Sequence, residues 1–233
     1  MVEATFSSEA TKLQLSYWLF VPKAVANKAP AIVYLHSSPG PEDELPLGPE
    51  LETLLSDRVQ GLEPAFVIAP RCPKGETWTG RRPKFPLDPH HPPPARENGV
   101  LRTLMALLGD LEANYPIAAD RVYIMGFSMG GSGTWEILMR YPDAFAAGVP
   151  ITGGADLSRA ALLAKIPIWS FHGELDELSP ASNGRDIFAA LQQLGAPARY
   201  TEFKGVGHGS AGPALAEPEL FRWLFAQRRR QGP

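Results

Sequence analysis

The stretch Gly126-Phe127-Ser128-Met129-Gly130-Gly131 reads G-x-S-x-G. Just before it, Arg121-Val122-Tyr123-Ile124-Met125 is rich in β-branched and aromatic residues, the composition of a strand. Just after it, residues 132–141 have helical spacing and stop at Pro142. A serine at such a strand-to-helix turn takes strained backbone angles, so its neighbours must be small. Gly126 and Gly130 meet that need. The turn lifts the hydroxyl into the open, and the start of the helix turns the N–H of Met129 towards it. The chemistry on offer is nucleophilic attack by Ser128 on an electrophilic carbon.

A lone serine hydroxyl is a poor nucleophile. It needs a base, and the base needs a group that fixes its tautomer. For a nucleophile on this kind of turn the chain order is serine, acid, histidine. The histidines are His36, His90, His91, His172 and His208. His208 follows both Ser128 and a candidate acid, and glycines flank it in Gly207-His208-Gly209. Glu174, Asp176 and Glu177 compete as the acid. The spacing His172-Gly173-x-x-Asp176 carries Asp176 past the turn, so it is the choice, with Glu174 and Glu177 left in solvent. His172 is expected to bond the backbone of its own loop. The negative charge that builds on a former carbonyl oxygen calls for N–H donors worth ~3–4 kcal/mol each. Met129 supplies one. The second is expected from the loop after residues 31–35, with Ser38 first by position and Ser37 next.

The elements that must place these residues alternate. Strands are expected at 13–21, 31–35, 65–69, 121–126, 146–152, 167–171 and 199–203. Helices are expected at 49–60, 97–115, 129–141, near 157–164, at 181–194 and at 217–229. Such alternation predicts a mostly parallel sheet with helices on both faces. Ligands bind such sheets beyond the C-terminal strand ends. His36, Ser128, the 172–177 loop and His208 all follow strands directly, so they converge there.

The 233 residues fit one domain over 1–233, interrupted by a proline-rich excursion at about 71–96. That excursion holds seven of the 24 prolines and the aromatic residues Trp78 and Phe85. It reads as an ordered wall of the substrate site, with Trp78 and Phe85 facing the substrate. Asp88, His90 and His91 sit between prolines and are read as a rigid exposed loop, so no metal is expected. A net charge of −3 leaves no electrostatic footprint for nucleic acid. The cluster Arg228-Arg229-Arg230 is expected to close the last helix and then fray. The single Cys72 excludes an intrachain disulfide and reads as a packed thiol. No apolar run approaches the ~18 residues of a membrane span. The N-terminus lacks a leader pattern, which makes the cytoplasm the default expectation; a secreted chain cut after its leader would look the same.

Taken with Val67-Ile68-Ala69-Pro70-Arg71-Cys72-Pro73, Trp78, Tyr141-Pro142-Asp143-Ala144-Phe145, Trp169-Ser170-Phe171-His172-Gly173-Glu174-Leu175-Asp176 and Gly205-Val206-Gly207-His208, the motif resembles the α/β-hydrolase superfamily. The likeness is to compact bacterial esterases, predicted peptidases, polyhydroxybutyrate-depolymerase-like and phospholipase/carboxylesterase-like hydrolases. It implies the α/β-hydrolase fold, a triad of Ser128, Asp176 and His208, and no metal or organic cofactor. The family usually has His-Gly where this chain has His36-Ser37, so an altered oxyanion loop is expected. No large cap domain is expected. The leading expectation is a serine carboxylic ester hydrolase acting on small, medium or aryl (feruloyl-like) esters. A serine peptidase of the same fold and a non-catalytic binding module are the alternatives.

Overall fold

In the computed structural model the described residues are 1–23, 25, 27–38, 48–81, 86 and 98–229. The strands among them are β1 (Val2–Ser7), β2 (Gln14–Phe20), β3 (Ala29–Leu35), β4 (Phe66–Pro70), β5 (Ile117–Phe127), β6 (Ala147–Ile151), β7 (Ile168–Gly173) and β8 (Ala198–Phe203). They form one eight-stranded sheet in the order β1-β2-β4-β3-β5-β6-β7-β8. β1 and β2 pair antiparallel, β2 runs antiparallel to β4, and every later pair is parallel. The apolar runs of β3, β4 and β6 are buried along their whole length, as strands covered on both faces must be.

The helices are α1 (Pro49–Leu55), α2 (Asp57–Gln60), α3 (Gly99–Asn114), α4 (Met129–Arg140), α5 (Ser182–Gln193), α6 (Ala211–Ala216) and α7 (Leu220–Ala226). Because side chains alternate across a strand, the sheet builds two cores. On one face Val33, Leu35 and Ile124 meet Leu101, Leu104, Ile137, Leu138 and Ile187 from α3, α4 and α5. On the other, Ile32, Tyr34, Tyr123 and Met125 meet Leu54, Leu215, Phe221 and Leu224 from α1, α6 and α7. Between β6 and β7 lies one short 3₁₀ helix, Leu157–Leu163, and no cap is inserted.

Several expectations needed correction. The N-terminal residues form β1, an edge strand not assigned from the sequence although Val2, Ala4 and Phe6 alternate with polar residues. The predicted helix at 49–60 is split at Ser56, which is extended (φ −69°, ψ 157°). The predicted last helix is shorter than 217–229 and is preceded by α6, which Gly212 and Pro213 hid from a propensity reading. Arg228 and Arg229 do not fray. Arg229 donates from its backbone N–H to Asp120 O at 2.8 Å and from Nη1 to Asp143 O at 3.0 Å. Arg228 lies 3.6 Å from the Asp120 carboxylate. Arg230 lies outside the described residues.

Arg121 fastens the start of β5 to the chain end. Its guanidinium pairs with both carboxylate oxygens of Glu63 and donates to Phe225 O at 3.1 Å. The arginine side chain is 9% exposed, so losing it strands a partly buried carboxylate and a carbonyl. Arg121→Ala is expected to cost about 2–4 kcal/mol by urea unfolding. A loss below ~0.5 kcal/mol would instead class the pair with ordinary surface ion pairs.

Candidate active site

β5 ends in the turn that bears Ser128, and α4 begins at Met129. Ser128 has φ 56° and ψ −110°, a conformation an L-residue rarely adopts. Gly130 shows why the turn is glycine-rich: a Cβ there would stand 1.9 Å from the carbonyl oxygen of Leu35 on the neighbouring strand. The elbow can therefore sit directly on the end of β3. Phe127 packs beside His208, with ring centroids 5.3 Å apart.

The three residues singled out by chain order and spacing meet in space. Ser128 Oγ lies 2.8 Å from His208 Nε2. His208 Nδ1 lies 3.0 and 2.9 Å from the two oxygens of Asp176. An ionised carboxylate only accepts, so Nδ1 carries the proton and Nε2 presents its lone pair to the serine hydroxyl. Asp176 is buried, and its Oδ1 also accepts N–H bonds from Leu178 at 3.0 Å and Ser179 at 2.8 Å. Glu174 and Glu177 are exposed, and Glu174 accepts the N–H of Gly205 at 2.9 Å. His172 does bond its own loop: its Nε2 donates to Ser179 O at 2.7 Å. That bond closes the 176–179 turn whose N–H groups hold Asp176.

The loop after β3 is braced from three sides. His36 Nε2 accepts the N–H of Cys72 at 3.0 Å, so its Nδ1 carries the proton and donates to Ser37 O at 2.6 Å. The Trp78 indole N–H donates to His36 O at 3.0 Å, and the two rings pack edge to face. Pinning Ser37 O fixes the plane of the peptide that carries the Ser38 N–H. Serine takes the place of the family's glycine without strain, since Ser37 is absent from the described residues with positive φ. Ser37 is half-buried and Ser38 exposed. The role of the His36 ring as a brace was not read from the sequence; the signal was a histidine directly after an all-buried strand.

Trp78 is not a pocket wall. It is 0% exposed, and a Cβ on Gly133 of α4 would stand 2.5 Å from its Cβ. The proline-rich composition around it concealed that this aromatic residue fills a slot between α4 and the β3 loop. Phe85, together with Asp88, His90 and His91, lies outside the described residues. Cys72 is buried, which pushes its thiol up to about 12 and leaves it protonated at neutral pH.

With this geometry in place, the fold is the α/β-hydrolase fold. A sequence profile of the phospholipase/carboxylesterase family matches residues 86–219. The chain belongs to that family. It is 35% identical to a thermostable esterase of known structure, with a TM-score of 0.86 over 98% of this chain and 63% of that one. It is 26% identical over 206 residues to "Probable carboxylesterase SOBER1-like" of Arabidopsis thaliana, covering 83% of this chain and 77% of the relative. A ferulic acid esterase shares the fold, with a TM-score of 0.70 at 17% identity, over 96% of this chain and 97% of that one. The chain spans less than two thirds of the thermostable esterase, and its match covers 13% of a relative from Arthroderma benhamiae described as an "Uncharacterized secreted protein".

Two consequences can be measured. Trp78→Ala should lower stability by about 3–5 kcal/mol, as for other buried aromatic deletions, and depress turnover of large and small esters alike. Loss confined to bulky aryl esters, at unchanged melting temperature, would return Trp78 to the pocket wall. Burial lowers the pKa of both His36 and His172 below the ordinary value of 6.5. The unfolded chain then takes up protons that the folded chain refuses, so stability is full above pH ~6.5 and falls below it. His172→Gln should therefore shrink the stability lost between pH 7.5 and pH 5.5. An undiminished loss would show that His172 does not carry this dependence.

Proposed function

We propose that the protein is a serine carboxylic ester hydrolase working through an acyl-enzyme. The hydrogen-bonded line from Ser128 through His208 to Asp176, at the C-terminal edge of the sheet, carries this reading. Ser128 Oγ attacks the ester carbonyl carbon while His208 Nε2 takes its proton. The tetrahedral intermediate collapses as the carbon–oxygen bond to the alcohol breaks, and His208 returns the proton to the departing oxygen. Water then attacks the acyl-serine and gives a proton to His208; the carbon–oxygen bond to Ser128 breaks, His208 returns that proton to Ser128 Oγ, and the acid leaves. Asp176 keeps the ring in the tautomer that can accept, and it stabilises the imidazolium in each step.

The negative oxygen of the intermediate is held by the N–H groups of Met129 and Ser38. Met129 is the first residue of α4, so its N–H has no partner within the helix. Ser38 follows the end of β3, and its N–H belongs to the peptide that His36 pins. Substrates are small to medium or aryl esters of the feruloyl kind. The absence of an inserted cap between β6 and β7 favours ready access for such molecules. The sequence of steps draws on no cofactor.

Ser128→Ala should lower kcat by about five to six orders of magnitude, and a fluorophosphonate should label Ser128 alone. Asp176→Asn should lower kcat about 10³–10⁴-fold, far more than Glu174→Gln or Glu177→Gln. An active Ser128→Ala variant sinks the nucleophile, and Glu177→Gln as the worst of the three would move the acid. Comparison of nitrophenyl, feruloyl and peptide anilide substrates decides between ester and peptide preference.

A further inference from the structure

Three non-glycine residues among the described ones have positive φ: Lys12, Ser128 and Thr152. Lys12 lies between β1 and β2 and Ser128 is the elbow, but Thr152 has no such explanation from sequence. Its φ is 60°, its exposure is 2%, and it follows the last residue of β6. A β-branched residue in the left-handed region is an outlier that persists only where its surroundings over-determine it.

Its surroundings are the two turns that must meet for the reaction. On one side, the N–H of Ser128 donates to Ile151 O at 3.0 Å. A Cβ on Gly131 would stand 2.4 Å from the carbonyl oxygen of Thr152 itself. The N–H of Gly154 donates to Ser132 Oγ at 3.1 Å, so the chain after Thr152 is also bound to α4. On the other side, the Thr152 hydroxyl lies 2.7 Å from the hydroxyl of Ser210, and both are buried. The N–H of Ser210 in turn donates to the carbonyl oxygen of His208 at 2.8 Å, and Ser210 O receives the N–H of Ala214 at the start of α6. The N–H of Thr152 donates to Phe171 O at 2.7 Å, which fixes it to β7. Thr152 thus bridges the turn of the nucleophile and the turn of the base by a route separate from the triad. β6 ends at this left-handed residue, and its hydroxyl meets that of Ser210.

We infer that Thr152 and Ser210 are a positioning pair that sets the approach of His208 Nε2 to Ser128 Oγ. The inference rests on the proposed roles of Ser128 and His208. Neither residue touches the reacting atoms, so the pair acts through the geometry of the other two. A reactive pair displaced by about 1 Å can lose ~100-fold in rate, so a loosened bridge should appear in kcat and not in binding.

The test is a double-mutant cycle of Thr152→Val and Ser210→Ala, with Thr152→Ser as the conservative variant and Ser128→Ala as the reference for the chemistry. The valine keeps the shape and the branched Cβ while removing the hydroxyl. Each single variant should lower kcat about 10–100-fold with KM within about threefold of the parent. The double variant should be no slower than the slower single, because one shared bond has been lost. Phosphonylation of Ser128 by a fluorophosphonate should slow in step with kcat, which lost folding stability alone would not produce. Thr152→Ser should recover most of the rate. Full kcat in Ser210→Ala, or independent additive losses in the double variant, overturns the pair while an inactive Ser128→Ala leaves the triad reading intact. If Thr152→Val does not fold, Ser210→Ala with its kcat and phosphonylation rate decides the matter alone. A fully active Ser128→Ala would remove the triad reading and the positioning pair together.

Discussion

The contact between Gly130 and the end of β3 constrains the whole site. With no side chain at 130, the first turn of α4 rests on the backbone of Leu35, and Gly126 lies within the same close approach. The Thr134 hydroxyl donates to Gly130 O at 2.8 Å and firms that first turn. One turn along α4, Gly133 makes room for Trp78, whose indole braces His36 and hence the loop after β3. A single close packing of helix on sheet thereby places both Ser128 and the loop opposite it. Any side chain at 130 would push the helix away from the sheet and separate them, since backbone cannot yield as a flexible side chain can.

The remaining members of the site are brought in by the parallel sheet. β5, β6 and β7 stand side by side, so the turns after them open at one edge. Asp176 and His208 arrive from the turns after β7 and β8, and those turns are held to each other as well as to Ser128. Leu175 N–H donates to Val206 O at 2.8 Å, and a Cβ on Gly173 would stand 2.1 Å from Gly207 O. Asp176 is buried in this arrangement and receives its hydrogen bonds from two backbone N–H groups and the ring of His208. Backbone donors of that kind are already aimed, so the carboxylate is held in place for the ring of His208.

Much of this was legible in the chain. The glycines around Ser128, the β-branched run before it and the helical spacing after it located the elbow, because each has a local physical cause. Chain order and strand-end position located His208 and Asp176. What was not legible was non-local. The slot that buries Trp78 exists only once α4 and the β3 loop are side by side, so an aromatic residue among prolines looked like an exposed wall. β1 is six residues long with one partner strand, and its alternation of Val2, Ala4 and Phe6 with polar residues is too short to stand out in the chain. The bridge from Thr152 to Ser210 joins residues 58 positions apart, and neither residue type signals it. The docking of Arg228 and Arg229 on Asp120 and Asp143 was hidden for the same reason.

The most direct test of the central claim is to trap the acyl-enzyme. Rapid mixing with a slow-turnover nitrophenyl ester, followed by acid quench, intact-mass measurement and peptide mapping, reads the intermediate itself. An acyl-serine intermediate gives a burst of nitrophenol equal to the enzyme present and an added acyl mass on the peptide that contains Ser128. Steady hydrolysis with no burst and no adduct, or an adduct on another residue, would contradict it.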